Sequence, residues 1–389
     1  MKIVFDCRYT RVGRHDGISR YTAGVVSALA ELVGPGGAAA GKHTVTMLIS
    51  DKKQLDKLPD LPWKLASSPT SPREPLVALQ VNSLEPDVVF TPMQTMGTFG
   101  RKYPLALTVH DLIYYSNPTP PREFAWPLRL LWRLYHVSWW PQRMLLNRAD
   151  AVVTVSRTTE ALVEEHHLTK RPIVVVSNAA DELEAGVAAS APEGSVSVDG
   201  SERASTAPTP RSKSLVYMGS FMPYKNVETL VRAMALLPDY ELHLMSTVRD
   251  ADRARLSALA PSAKLVFHNG ASDAEYVAEL DRATALVTAS LDEGFGIPLV
   301  EAMGRGTPVV VSDIAVFREI GGEAGLYFEA SSPEQLVAKV RELENAAEWA
   351  ARSSAGRVQA ATFSWAASAQ ALLGLLERLP VLARSRGRR

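Results

Sequence analysis

Two tandem α/β units, each a parallel β-sheet covered by helices on both faces, are what this sequence predicts. Three observations point there. Short apolar runs alternate with amphipathic stretches through residues 1–181. A segment of different composition interrupts the alternation at 182–213, and the pattern then resumes. The length, 389 residues, suits two or three domains.

In the first unit the apolar runs Ile3–Asp6, Val45–Ile49, Asp87–Phe90, Leu105–Val109, Ala151–Val155 and Ile173–Val176 read as strands. Helical spacing marks Ser19–Leu32 and Thr158–His166 between them. The stretch 182–213 is rich in Ala, Ser, Pro and Gly, has no aromatic residue and no period, so it reads as a flexible linker or insert. The second unit, 214–364, starts at Leu215–Met218. It continues with strands Leu242–Met245, Lys264–Phe267, Ala285–Thr288, Pro308–Val311 and Leu326–Phe328. Its helices are Val227–Leu237, Ala274–Arg282 and Pro333–Leu343. A last helix, Trp365–Leu379, opens the segment 365–389, which ends in a basic tail read as frayed and solvated. Two Rossmann-like halves place a cleft between them, where ligands of such sheets bind.

Composition narrows the function. Forty-two Lys plus Arg balance 42 Asp plus Glu, so no global basic field points to nucleic acid. One cysteine, Cys7, excludes an intrachain disulfide and a cysteine-based zinc site. The chain starts directly on a strand, without a signal-peptide pattern or a run of about 18 apolar residues. The expected location is the cytoplasm, with peripheral contact at the inner face of the cell membrane left open.

The most informative segment is Glu293-Gly-Phe-Gly-Ile-Pro-Leu-Val-Glu301. It follows a buried-strand pattern and enters a short helix with Pro298 in its first turn. Strand, glycine turn and helix N-terminus make an anion site, because exposed N–H groups and the helix dipole both favour negative charge. Glu293 in the turn and Glu301 one turn into the helix can then hydrogen-bond hydroxyls at opposite ends of a ligand whose phosphate lies between. That is the shape of a nucleotide-sugar.

This segment, continued through Gly306-Thr-Pro-Val-Val-Val-Ser312, Phe317-Arg-Glu-Ile-Gly-Gly322 and Ala324-Gly-Leu-Tyr-Phe328, resembles the E-x7-E signature of retaining glycosyltransferases of family 4, with the GT-B fold. The resemblance implies a donor domain, the second, and an acceptor domain, the first, with the last helix crossing back to the first. It implies that Glu301 accepts from ribose hydroxyls and Glu293 from a hexose hydroxyl, with Gly294, Phe295, Gly296 and Ile297 beside sugar and phosphate. The loop Gly219-Ser-Phe-Met-Pro-Tyr-Lys-Asn226 resembles a branch containing many mannosyltransferases, and its Lys225 and Asn226 match that pattern. Lys225 beyond a strand end can neutralise a departing diphosphate. Ser220 and Tyr224 stand where related chains place arginine, leaving Arg8, Arg14, Arg20 and Arg249 as unranked alternatives for a second phosphate cation.

Thr108-Val-His110-Asp111 ends an apolar strand, and the resemblance gives His110 a contact with the donor sugar, with Asp111 beside it. Asp16-Gly-Ile-Ser-Arg-Tyr21 resembles a glycine turn in which Gly17 approaches the donor, while Asp16 and Arg20 are acceptor-side candidates. His110, Glu293 and Lys225 form the expected catalytic set. No metal and no cofactor beyond the nucleotide-sugar are expected. Asp250-Ala-Asp252, a superficial metal motif, falls in a charged helical segment.

The implied reaction moves a hexosyl group, with mannose from GDP-mannose as the leaning, to a glycan or glycolipid hydroxyl with retention. A non-catalytic nucleotide-sugar-binding partner in a glycan assembly complex, or an epimerase or phosphorylase on the same architecture, are the alternatives. Trp126–Trp140, with four tryptophans and Arg129, Arg133 and then Arg143, reads either as an interfacial helix at anionic lipid or as a core helix with its arginines in water.

Overall fold

The computed structural model of the chain describes residues 1–13, 16–120, 125–180 and 212–386. Nearly all of the expected insert, the end of the basic tail and Arg14 lie outside the described residues. The first unit runs β1 (Lys2–Asp6), α1 (Gly17–Val33), β2 (Thr44–Ile49), β3 (Trp63–Leu65), α2 (Val77–Asn82), β4 (Val88–Thr91) and β5 (Leu105–Val109). It continues with α3 (Ile113–Ser116), α4 (Trp126–His136), α5 (Trp140–Asn147), β6 (Ala151–Thr154), α6 (Arg157–Glu165) and β7 (Ile173–Val175). The second comprises β8 (Ser214–Tyr217), α7 (Val227–Met234), β9 (Glu241–Leu244), α8 (Asp250–Leu259), β10 (Lys264–Phe267), α9 (Asp273–Arg282) and β11 (Ala285–Thr288). Then come α10 (Ile297–Arg305), β12 (Val309–Ser312), α11 (Ala315–Gly321), β13 (Leu326–Phe328), α12 (Pro333–Glu342), α13 (Ala346–Ala360) and α14 (Trp365–Arg386).

Both sheets are wholly parallel, in the orders β3-β2-β1-β4-β5-β6-β7 and β10-β9-β8-β11-β12-β13. The order reverses between β1 and β4 in one sheet and between β8 and β11 in the other, so each has a crevice at its strand carboxyl ends. The central strands are buried on both faces: β4, β5, β6, β8, β11 and β12 carry no exposed side chain. Continuous apolar runs, rather than alternation, are what such strands require.

The first unit's helix α1 starts at Asp16, whose carboxylate caps the Ser19 amide at 2.9 Å. Tyr21, Val25, Val26 and Leu29 then point into the core. The last helix does cross back. Leu372, Leu375, Leu376 and Leu379 of α14 are buried in the core that also holds Val25, Leu29 and Val176. Ser368 donates to the Ser177 carbonyl at 2.7 Å, and His43 meets Glu377 at 3.0 Å. The stretch Ala346–Ala383 has the length and apolarity of a membrane-crossing helix, but 39% of its apolar window is buried inside this fold and a turn at 361–364 breaks it.

Two expectations fail here. Strand β3 was not anticipated, because Trp63–Leu65 is a three-residue, exposed edge strand with no period to read. The core-helix reading of Trp126–Trp140 is overturned, since α4 buries no residue at all.

If α14 anchors on α1 through this leucine face, Leu376→Ala should cost about 2–5 kcal/mol. Urea unfolding would read this as a lower midpoint with an unchanged slope.

Candidate functional site

The carboxyl ends of the two sheets face each other across a cavity of ≈ 520 Å³, within the range typical of small-molecule sites. The first unit contributes the start of α1 and the ends of β5 and β6, through Asp16, Gly17, Arg20, His110 and Asp111. The second contributes the ends of β8 and β9 and the β11–α10 loop. From these come Ser220, Lys225, Ser246, Glu293, Gly294, Phe295, Gly296, Ile297 and Glu301. All the site residues read from the sequence line this one cavity, with one exception.

The exception is Asn226. Its backbone is left-handed (φ 49°), and its side-chain amide donates to the carbonyls of Ala289 at 3.1 Å and Ala330 at 2.7 Å. It ties the loop that carries Lys225 to the ends of β11 and β13, and does not itself line the cavity.

The β11–α10 loop is shaped by its glycines. A Cβ on Gly294 would lie 2.3 Å from the His110 carbonyl oxygen, so the two units meet there backbone to backbone. Gly296 caps α10 with φ 96°, a conformation that glycine adopts without strain. The loop is held from the first unit by Ser156, whose hydroxyl donates to the Gly294 carbonyl at 2.8 Å. A second stitch was missed by the sequence reading. Glu319, on α11, accepts from the amides of Arg157 and Thr158 at 2.8 Å each and from the Thr158 hydroxyl at 2.6 Å. A carboxylate of one unit thus caps a helix of the other. The strand-to-helix serine at 156 signalled a cap, and Glu319 lay within a segment already singled out, but their pairing is tertiary.

Each glutamate of the E-x7-E pair has its own cation. Glu293 pairs with Lys225 and accepts from the Ser290 hydroxyl at 3.0 Å. Glu301, almost fully buried on α10, pairs with Arg20 across the cleft, and Arg20 also reaches Asp273 at 3.3 Å. Tyr276 abuts Glu301, and burial together with that carboxylate pushes its phenol well up. The other cation alternatives are placed elsewhere. Arg8 is buried between Asp6 and Glu74, at 2.8 and 2.6 Å, and Arg249 holds Asp252 at 2.8 Å. Asp252 is a buried partner of that arginine on α8 and does not line the cavity. Ser246, in the loop after β9, lines the cavity, whereas residues 267–272 after β10 do not.

His110 donates from Nε2 to the Pro92 carbonyl at 2.7 Å, which fixes the proton on that nitrogen. Its ring meets Tyr21 edge-on at 5.0 Å, and burial lowers its proton affinity. In the neutral ring Nδ1 is therefore an acceptor. Beside it, Asp111 accepts from the Ile113 amide at 3.2 Å. Burial, with Glu293 and Asp292 adding like charge, raises its pKa to about 6.

The comparisons with known proteins match both halves. The model of "Glycosyltransferase Family 4" matches residues 17–182 and that of "Glycosyl transferases group 1" residues 199–356, so that together they take in most of the chain. The chain is a family 4 glycosyltransferase. Among curated relatives, this glycosyltransferase is 28% identical to the serotype-specific mannosyltransferase WbdA of Escherichia coli, over 75% of this chain but 35% of that protein. It is 24% identical to the O-antigen chain mannosyltransferase RfbU of Salmonella typhimurium, over 65% of this chain and 68% of RfbU. The chain spans about a third of WbdA's length. Among solved structures, sucrose-phosphate synthase of Thermosynechococcus elongatus superposes with a TM-score of 0.71 at 19% identity, covering 97% of this chain and 98% of that one. Anabaena Alr3699/HepE, solved with UDP and glucose, superposes with a TM-score of 0.66 at 17% identity, covering 97% and 100%. The fold is GT-B.

Asp111 supplies a pH test. A carboxyl whose folded pKa lies above its unfolded one binds its proton more tightly when folded. Its contribution favours folding below about pH 4 and is lost as pH rises to about 6. The full shift corresponds to about 3 kcal/mol, and water in the open cleft reduces that to roughly 1–2 kcal/mol. Chemical denaturation at pH 4 and pH 7 should show this slope in the wild type and not in Asp111→Asn.

Proposed function

We propose that this glycosyltransferase moves a hexosyl group from a nucleoside diphosphate sugar to an acceptor hydroxyl with retained configuration and without metal in the chemical step. The observation that supports it most is the pair of cation-matched carboxylates, Glu293–Lys225 and Arg20–Glu301, in the interdomain cavity at the mouth of α10. In this reading Glu301 takes the ribose hydroxyls and Glu293 a hexose hydroxyl. The diphosphate lies at the α10 N-terminus, where the helix dipole favours it. Lys225 compensates the charge that grows on the leaving diphosphate. His110 Nδ1 accepts a hydrogen bond from the sugar. The C1–O bond to diphosphate breaks, the acceptor oxygen bonds C1 from the same face, and its proton passes to a departing phosphate oxygen. GDP-mannose is the favoured donor, because WbdA and RfbU are mannosyltransferases, and a glycan the favoured acceptor.

A second observation bears on where the acceptor comes from. The α4–α5 face exposes Trp126 (75%), Val137 (79%) and Trp140 (64%). Residues 125–149 hold Arg129, Arg133, Arg143 and Arg148 and no Asp or Glu. Apolar and aromatic residues interleaved with positive charge suit the interface of an anionic bilayer. A smaller cavity of ≈ 260 Å³ has His136 and Gln142 on this side and His110 and Asp111 at its inner wall. An acceptor carried on a lipid would approach the cleft from this face, placing the enzyme on the cytoplasmic leaflet.

Thermal-shift screening against GDP-, UDP-, ADP- and dTDP-sugars should give the largest rise with GDP-mannose. In Glu301→Ala, donor affinity should fall on the order of 10- to 100-fold. His110→Ala should instead lower kcat by at least about tenfold with little change in KM. Donor binding with no turnover across an acceptor panel would favour the non-catalytic reading. In a second experiment, the protein should sediment with phosphatidylglycerol vesicles and not with phosphatidylcholine alone. Arg129→Glu with Arg133→Glu should abolish that sedimentation, and equal binding by the double variant would exclude the lipid-facing role.

A further inference from the structure

Outside the cleft, three potential metal ligands from three different elements meet at one point. His243 comes from β9, His268 follows β10, and Glu279 comes from α9. His243 Nδ1 lies 3.1 Å from His268 Nε2 and 3.1 Å from Glu279 Oε2, and the three atoms all fall within 4.8 Å of one another. A single proton on Nδ1 can serve only one of its two neighbours at a time. Arg282 already holds both oxygens of the Glu279 carboxylate, so it is the two rings that a cation among the three would newly satisfy.

Two of the three spacings suit such a cation as they stand. Bonds of about 2.0–2.1 Å in a tetrahedron put ligand atoms about 3.3 Å apart, close to both short separations seen here. Two imidazoles and a carboxylate are a donor set that zinc and its first-row neighbours favour over magnesium or calcium. The outer partners are also in place. His243 Nε2 lies 3.7 Å from the Glu241 carboxylate, beyond hydrogen-bond length here but on the side from which a ligating imidazole is commonly oriented. Arg282 donates to Glu279 Oε2 at 2.8 Å and would remain as the outer partner of that carboxylate.

We propose that His243, His268 and Glu279 form a zinc site that ties β9, β10 and α9 together, with water completing the coordination. This goes beyond the transferase reading and does not rest on it. Three protein ligands leave a fourth place open, but the site stands apart from the cavity in which the glutamate pair lies. Its consequence would be stiffening of α9. Glu279 sits one turn along that helix from Tyr276, the residue against Glu301.

The test uses the whole protein, stripped with a chelator and titrated with zinc against a chromophoric competitor. The wild type should take up one equivalent at micromolar affinity or tighter, with a rise in Tm of several degrees. His268→Gln changes a half-exposed ring and, like Glu279→Gln, should weaken uptake at least tenfold, while Glu241→Gln should weaken it less. Metal-free melting of each variant separates lost ligation from lost folding. Independently of any variant, anomalous scattering at the zinc edge from wild-type crystals should place the ion among the three side chains. No equivalent bound, an ion elsewhere, or wild-type affinity in both ligand variants would overturn the site.

Discussion

The contact on which the rest of the arrangement depends is the approach of the Gly294 backbone to the His110 carbonyl. With 2.3 Å between that oxygen and any Cβ at 294, only glycine lets the two sheets present their carboxyl ends to one space. The seam is polar and specific around that point. Ser156 holds the loop by its carbonyl, and Glu319 caps α6 with two amide bonds and a hydroxyl bond. These bonds set the height of Glu293 relative to His110, and so, in the proposed reading, whether a sugar held by one reaches the other.

The cleft is charged yet locally balanced. Glu293 and Glu301 would be costly to hold at low exposure without partners, and each is given one, Lys225 and Arg20. The Arg20 pair spans the two units, so it couples cleft geometry to the state of the proposed ribose-binding carboxylate. Any anionic ligand entering the cavity competes with those carboxylates for the same cations, and must bring hydroxyl donors to keep the glutamates satisfied. A nucleotide-sugar carries hydroxyls on both sides of its phosphates, far enough apart to meet both glutamates, whereas an inorganic phosphate is too small to span them. That requirement favours the whole donor over its fragments and follows from side-chain chemistry alone.

Much of this was legible in the chain, for identifiable reasons. Strands buried on both faces must be apolar throughout, so β4, β5, β8 and β11 announce themselves. The E-x7-E segment is local, and its geometry follows from a glycine turn entering a proline-started helix. What escaped was tertiary. Nothing in the local sequence ties Asn226 to the carbonyls of Ala289 and Ala330, or Glu319 to the start of α6. Likewise Arg8 looked available until Asp6 and Glu74 enclosed it. Charged residues show their type in a sequence but not their partner, and here the partner decides the role.

Charge balance over the whole chain conceals the same point on a larger scale. Forty-two basic and 42 acidic residues sum to zero, yet 125–149 contains four arginines and no acid. An interface senses charge only within about a Debye length, roughly 8–10 Å, so this face acts as basic whatever the total. The compensating acids lie elsewhere, including Asp111, Asp292 and Glu293 around the cleft. A face that is both apolar and basic costs solubility and offers nothing to the folding of α4, which buries no side chain. Its position beside the smaller cavity, which His110 also lines, would give that cost a function in the proposed reading, by setting the direction from which an acceptor reaches the sugar.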